Sequence, residues 1–464
     1  MLNCYFPSRR SPLRSGSHWE ASSIPNRIAI LGLGRSGIAS AKAALATGDE
    51  VWAIDEKGTD APAIEKAKEE LQKLGVTVET GWKRGLWELG AQTIVTSPGV
   101  PKNHELLQDA LRNGMEVISE VELAYRIAKA PIVAITGTNG KSTTTVMAWL
   151  CAKAAGYDAV LCGNIYGSGY DEIPLTEAAL RTTGTMPALI AEISSFQLEW
   201  VDQFRPKSAV ITNITDDHLN RYEGFEDYAR TKRRIFNRMG PGDIAVWNDG
   251  DFQTEPPAGI KTLTYGQFGK DAWATEFRLH LENEFVEKED LPFSEPHNYL
   301  NAMAACLLAY GLSDGRADPQ VLLDALRGFR GLAHRMERIG TQGGITLINN
   351  SMCTNPAAVI ASSQSVKGRQ RLLIGGTNKD LDFTELGQYL RPQGHEAYLF
   401  GQDAEKIAAQ LAGPYPVFKT MADAFAAAIH DAKAGETVML APGVASQDQF
   451  TDFRDRGEQF RQLA

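Results

Sequence analysis

The chain has 464 residues, about three times the roughly 150 of an average domain, so two to four domains with real cores are expected. An apolar share of 43% with 22% charged residues excludes disorder, collagen and coiled coil. The 57 Asp plus Glu against 47 Lys plus Arg, a net charge of -10, repel a polyanion and argue against general nucleic-acid binding.

Residues 1–26 carry Arg9, Arg10 and Arg14, many serines and no acid before Glu20, and are expected to form a disordered tail. From Arg27 the chain alternates short β-branched runs with amphipathic stretches, the pattern of a parallel sheet, and the pattern restarts twice. Residues 27–129 hold RIAILGLG, EVWAID and QTIVTSPG as strands. Residues 130–331 hold PIVAITGTNGKST, ALIAEISS, SAVITNIT and DIAVWN, then the helical NYLNAMAACLLAYGL. Residues 332–464 hold GITLINNS, RLLIGG, AYLFGQ and ETVMLAPG. The fold class expected is α/β, three Rossmann-like parallel-sheet domains in series. No fixed short repeat is present, which excludes a solenoid. Cys4, Cys151, Cys162, Cys306 and Cys353 form no C-x-x-C pair and fit a reducing compartment, as core residues or bystanders. No apolar run nears the about 18 residues needed to span a bilayer, and the amino terminus lacks a signal-peptide core, so a cytoplasmic location is expected.

In open parallel sheets ligands bind beyond the carboxyl ends of strands. In the first domain Gly32-Leu33-Gly34-Arg35-Ser36-Gly37 follows a strand and opens a helix, and Asp55 ends the next strand 18 residues after Gly37. This imitates a dinucleotide fingerprint, and alone it leaves NAD open. It requires only that a diphosphate lie on a helix amino terminus.

In the second domain Gly137-Thr138-Asn139-Gly140-Lys141-Ser142-Thr143 follows a strand and starts a helix: a phosphate loop. Its backbone N–H groups turn onto phosphate oxygens, Lys141 supplies a cation, and Ser142 or Thr143 offers a hydroxyl to magnesium. Ile135 stands where the eight-residue Walker pattern has its first glycine. A magnesium–triphosphate needs acidic ligands from neighbouring strand ends, and Glu192 and the run Asp216-Asp217-His218 occupy such places.

With these residues in view the chain resembles the Mur ligases, through GTNGKST, EISSFQLE, NITDDHLNRY, HNYLNAMAA, GLAHRMERIG, GGTNKDLDF and ASQDQFTDFRDRG, in family order from about Arg27 to the carboxyl terminus. EISSFQLE is the block most specific to the D-glutamate-adding branch, whereas the phosphate loop alone also fits folylpolyglutamate synthase and cyanophycin synthetase. The resemblance implies an ATP-dependent amide ligase that joins glutamate to UDP-N-acetylmuramoyl-L-alanine through an acyl phosphate, in cell-wall precursor synthesis, as a monomer. It implies ATP and two magnesium ions held by Ser142, Glu192, His218 and Lys232, the last as a carbamate. It implies ATP contacts from Asn298, Asn301, Asn350 and Arg335 besides the phosphate loop, and catalysis by Lys141, Glu192, His218, Lys232 and Arg335. It places the UDP-bearing substrate at Gly34, Arg35, Ser36, Asp55, Ser97, Pro98, Gly99 and Asn164, and the incoming amino acid at Thr354, Lys379, Ser446 and Phe453.

Against the family's usual Asn-Asp-Ser-Lys-Ala-Thr-Asn this chain reads Asn349-Asn350-Ser351-Met352-Cys353-Thr354-Asn355. An acid expected on the ATP ribose and a lysine near the reacting groups are replaced by neutral side chains. Ala441-Pro442-Gly443-Val444-Ala445-Ser446 likewise departs from Ser-Pro-Ala-Cys-Ala-Ser. The departures cluster around the amino-acid pocket, which leaves open a variant ligase that takes L-glutamate or another amino acid. A binding protein without turnover and a nicotinamide enzyme are the readings from other classes.

Overall fold

The computed structural model describes residues 26–58, 62–181, 184–215, 221–250, 256–378 and 381–464. His218, Lys379 and the expected amino-terminal tail up to residue 25 lie outside the described residues. The chain forms two compact units, the first ending at Ile118 and the second beginning at Ser119.

The first unit is built on strands β1 (Arg27–Leu31), β2 (Glu50–Asp55), β3 (Thr77–Thr80), β4 (Thr93–Thr96) and β5 (Glu116–Ser119), in spatial order β3-β2-β1-β4-β5. β1 pairs in parallel with both β2 and β4. Chain order reverses across β1, so the carboxyl end of that strand is the topological switch point where a ligand crevice opens.

The second unit carries two sheets. One comprises β6 (Ile132–Thr136), β7 (Asp158–Gly163), β8 (Pro187–Glu192), β9 (Ser208–Ile211), β10 (Ile244–Asn248), β11 (Lys261–Gly266), β12 (Ala272–Ala274), β13 (Arg278–Leu281) and β14 (Glu284–Glu287), in order β14-β13-β12-β11-β10-β9-β6-β8-β7. β6, an unbroken apolar run buried throughout, lies between β8 and β9 and is parallel to both, as expected of a strand covered on both faces. One face packs on the helices Lys141–Ala154 and Pro296–Leu312; the other faces the core around Leu189, Phe204 and Tyr228. The remaining sheet comprises β15 (Glu337–Gln342), β16 (Ile345–Asn349), β17 (Gln370–Gly375), β18 (Glu396–Phe400), β19 (Val417–Phe418) and β20 (Thr437–Leu440), in order β15-β16-β20-β17-β18-β19.

Every strand expected from sequence is present, in an α/β architecture of three sheet-based domains. The expectation of parallel sheets is corrected at the edges, because β12, β13 and β14 pair antiparallel, as do β15 and β16. Short, charged segments such as RLHL and ERIGTQ are held by ladder bonds rather than by a buried apolar run, so hydropathy does not single them out. Cys151, Cys162, Cys306 and Cys353 are buried free thiols.

Candidate active site

The phosphate loop joins β6 to the helix Lys141–Ala154. Gly137 has φ +150°, and a Cβ there would lie 1.9 Å from Thr212 Oγ1, so only glycine lets the loop pass the end of β9. The next residues of that strand end hold the loop in shape: Thr212 Oγ1 donates to Asn139 O at 2.6 Å, Asn213 Oδ1 accepts from Asn139 N–H at 3.0 Å, and Thr138 N–H donates to Asn213 O at 2.9 Å. Lys141 folds back onto the carbonyls of Gly137 and Thr138 at 3.0 and 2.8 Å. Lys232 is 1% exposed, donates to Gly137 O at 2.7 Å, and lies 4.6 Å from the Tyr228 ring one helical turn earlier. A cation this buried on the phosphate loop is not the solvated base that its charged run ARTKRRIF suggests.

Glu192 closes β8 and is 3% exposed. Ser142 Oγ donates to its Oε2 at 2.6 Å and Asn164 Nδ2 to its Oε1 at 2.7 Å. Ser142 and Glu192 therefore present adjacent hard oxygen donors beside the loop, the donor chemistry magnesium takes. Among the described residues no group of three His, Cys, Asp or Glu side chains converges on one point. Asn164, expected on the UDP substrate, is thus engaged with this carboxylate.

On the helix Pro296–Leu312, Asn301 is 6% exposed, accepts from Thr144 Oγ1 at 3.2 Å and donates to Asn298 Oδ1 at 3.2 Å, while Asn298 Nδ2 reaches Glu295 at 3.0 Å. The pair ties this helix to the phosphate-loop helix. Arg335 sits between His334 and Met336, two non-glycine residues at φ +61° and +46°. Burial pulls its pKa down, and the charge of Glu192 opposes that shift. Arg335 Nη2 donates to Met352 Sδ at 3.1 Å. Asn350 is 4% exposed with both ends of its amide occupied, accepting from Met336 N–H at 3.1 Å and donating to Ser362 Oγ at 2.8 Å. Its geometry is that of a local tie between the Arg335 segment and the helix Pro356–Gln364.

Beyond the carboxyl ends of β16, β17 and β20 lies a cleft of about 360 Å³ lined by Thr354, Thr377, Leu381, Ala445, Ser446, Gln447, Asp452 and Phe453. It gathers Thr354, Ser446 and Phe453, three of the four residues expected for the amino acid. Its walls are joined by Arg456, which is fully buried although its setting RDRG reads as a charged surface run. Arg456 Nε donates to Ser351 Oγ at 3.0 Å and Nη2 to Ser351 O at 2.9 Å, Nη1 reaches Val444 O at 3.2 Å, and burial brings its pKa down to about 10. Ser351 Oγ in turn donates to Phe453 O at 2.7 Å. Asp452, Gln447 and Thr377 lie within the family-like blocks ASQDQFTDFRDRG and GGTNKDLDF, but nothing in the sequence marks them individually as lining residues.

In the first unit the fingerprint turn is braced rather than open at its acid: Asp55 accepts from Leu33 N–H and Lys57 N–H, each at 2.9 Å. Gly37 is required because a Cβ would lie 1.9 Å from Gly32 O. Ser97 donates to Gly32 O at 3.2 Å, bringing the loop Ser97-Pro98-Gly99 beside the turn. Gly34 caps the helix Arg35–Ala46 with no side-chain cap, so its first N–H groups are oriented for an anion, with Arg35 and Ser36 in the first turn.

A phosphate loop with a buried carboxylate on the adjoining strand, an arginine set between two positive-φ residues and a polar cleft on a further sheet are the parts of a nucleotide-using α/β enzyme. Family models match in series: the Mur ligase MurD-like amino-terminal domain over residues 26–119, the Mur ligase middle domain over 135–309, and the Mur ligase glutamate ligase domain over 334–444. The chain is 38% identical over 448 residues to a UDP-N-acetylmuramoylalanine–D-glutamate ligase of Caldanaerobacter subterraneus subsp. tengcongensis, and 35% identical over 461 residues to the enzyme of that name from Salinibacter ruber; each alignment covers 94% of this chain and 97% of the relative. The chain belongs to the Mur ligase family. Solved structures of similar fold include MurF from Acinetobacter baumannii (TM-score 0.55, 18% identity, 76% of this chain and 88% of that one) and MurF ligase from Thermotoga maritima in complex with ADP (TM-score 0.52, 18% identity, 80% and 94%).

Proposed function

We propose that the chain is an ATP-dependent ligase that forms the amide bond between UDP-N-acetylmuramoyl-L-alanine and D-glutamate, in peptidoglycan precursor synthesis. The activity of relatives aligned over nearly the whole chain, UDP-N-acetylmuramoylalanine–D-glutamate ligases, supports this reading. The observation that carries it is the pairing, in one compact unit, of the Ser142–Glu192 contact at the phosphate loop with the Thr354–Ser446–Phe453 cleft.

A carboxylate approaching a triphosphate meets like-charge repulsion, and Lys141 and Arg335 are the cations placed to offset it. Ser142, Glu192, His218 and Lys232, the last as a carbamate, would hold two magnesium ions, which would supply further neutralisation when bound. A muropeptide carboxylate oxygen attacks the γ-phosphorus and the bond to the bridging oxygen breaks, giving an acyl phosphate and ADP; the glutamate amine then adds to the acyl carbon, and the tetrahedral intermediate collapses to the amide with release of inorganic phosphate and the amine proton. Glutamate is received by Thr354, Lys379, Ser446 and Phe453. The UDP moiety lies on the Gly34 turn with Arg35, Ser36, Asp55, Ser97, Pro98 and Gly99, and residues 27–129, 130–331 and 332–464 serve as substrate, ATP and amino-acid domains. ATP is further contacted by Asn298 and Asn301. The enzyme works as a monomer in the cytoplasm; among the described residues no helix is long and apolar enough to cross a membrane.

The test is phosphate release from ATP and magnesium with UDP-N-acetylmuramoyl-L-alanine and a panel of amino acids, with Lys141→Ala as the blank. D-glutamate-dependent release is expected. Preference for L-glutamate or another amino acid would make the Asn350–Thr354 block a specificity switch, and no release with any acceptor would overturn the ligase reading.

A further inference from the structure

We propose that Tyr166 and Arg454 form a clasp that positions the amino-acid cleft against the phosphate-loop domain, so that they are positioning residues for the incoming amino acid. The inference rests on the ligase reading above and assigns residues outside its substrate contacts.

The loop after β7 has two ends with different duties. At Asn164 it is fixed to Glu192 twice, through the side chain at 2.7 Å and through Asn164 N–H donating to Glu192 O at 2.8 Å. Two residues later Tyr166 leaves this anchor and meets the start of the helix Phe453–Leu463. The Arg454 guanidinium stacks over its ring at 4.0 Å, and the Phe453 ring meets it edge-on at 6.3 Å.

Both partners of Tyr166 lead directly to the cleft. Phe453 lines it. Arg454 grips the carboxylate of Asp452, another lining residue, from Nε at 3.0 Å and Nη2 at 2.7 Å, and Asp452 caps the helix by accepting from the N–H groups of Arg454 and Asp455. A displacement of Tyr166 therefore moves two walls of the cleft. The neighbouring residues of the same loop touch the chain that carries Arg335: Ala333 N–H donates to Ser168 O, and Arg330 N–H to Tyr170 Oη, each at 2.9 Å. One short loop thus relates the carboxylate at the phosphate loop, the segment that carries Arg335 and the amino-acid cleft. An aromatic face under a guanidinium suits this task, because it holds direction while tolerating small sliding.

The experiment is steady-state phosphate release by the full chain with D-glutamate, ATP and the muropeptide varied in turn. Tyr166→Ala is expected to raise KM for D-glutamate about tenfold, the scale of one lost cation–π pair with its edge contact, while KM for the other two substrates and the melting temperature stay close to wild type. Tyr166→Phe keeps the ring and should restore wild-type behaviour, whereas Tyr166→Leu should resemble Tyr166→Ala. Arg454→Ala should raise the same KM, and the double variant should fall short of the sum of the two single effects, because both remove the Tyr166–Arg454 contact while Arg454→Ala also loses the Asp452 ion pair and Tyr166→Ala the Phe453 edge contact. An unchanged KM for glutamate in Tyr166→Ala, an equal rise for all three substrates, full rescue by leucine or strictly additive effects would overturn the proposal. The wild-type rate tests the ligase reading, and the variant-to-wild-type ratio tests the clasp; if the wild type prefers another amino acid, the same ratio is measured with that one.

Discussion

Arg335 donates from Nη2 to the thioether sulfur of Met352 at 3.1 Å, so the residue that stands where the family usually has lysine is in contact with the Arg335 guanidinium. A thioether is a weak acceptor, adds no charge and packs as a flexible apolar chain. Arg335 is therefore expected to carry the cationic duty on this side of the phosphates. Arg335→Ala should lower kcat by about 10²–10³-fold, as when a preorganised donor to developing charge is removed. Arg335→Lys should restore little, because an ammonium lacks the planar fork. Met352→Leu should cost less than about 1.5 kcal/mol in stability. These rates and denaturation midpoints check the assignment, and a collapse of kcat in Met352→Leu would contradict it.

At Gly137 the overlap with Thr212 sets a backbone test. Gly137→Ala should destabilise the fold by about 1–3 kcal/mol and remove nucleotide turnover, since it combines strain with a 1.9 Å clash. Adding Thr212→Ala should return part of the thermal stability by removing the clashing hydroxyl. No recovery in calorimetry would place the damage elsewhere.

Replacing Glu192 by Gln preserves shape and removes charge. An amide at this position still accepts from Asn164 but no longer offers an anion to magnesium, so the half-saturating magnesium concentration should rise and kcat should fall by about 10²-fold or more. Wild-type turnover at ordinary magnesium would remove Glu192 from the metal site.

Lys232 gives a chemical prediction. If it works as a carbamate, enzyme stripped of carbon dioxide should lose activity and regain it with bicarbonate. Lys232→Met should not respond. Phosphate release measured in degassed buffer, with and without bicarbonate, decides between the carbamate and a plain buried ammonium.

His334 sets a pH dependence. It is 6% exposed, its Nδ1 lies 3.0 Å from Asn349 Nδ2, and burial lowers its pKa, with Arg461 and Arg454 lowering it further and Glu337 and Glu458 opposing. The unfolded chain then binds this proton more readily than the folded one. Stability should therefore fall as pH drops below about 6.5, the ordinary histidine value, and level off below the folded value. Denaturant unfolding from pH 7.5 to 5 should show this slope, and His334→Gln should flatten part of it.

The phosphate loop, the central strands and the residues following them were legible because each carries its signal locally. IVAIT is apolar throughout and GTNGKST packs turn, cation and hydroxyl into seven positions. Tyr166, Arg454 and Arg456 gave no comparable signal. Their partners lie far away in the chain, and an arginine within a charged helix start reads as a surface residue until the fold surrounds it, as it does Arg456. The antiparallel edges β13 and β14 were missed for a related reason, since their ladder bonds come from the neighbouring strand.

By itself the sequence determined the α/β class, the order of the sheets and the chemistry at the strand ends, because hydropathy period, glycine conformation and side-chain type are properties of short segments. Only the tertiary structure decided how those residues are used. It placed Asn164 on Glu192, closed both ends of the Asn350 amide, drew Lys232 into the interior and set Met352 against Arg335. The physical reason is that a polar group's role depends on which partners replace its water when it is buried, and those partners are supplied by strands and loops that meet only in the folded chain.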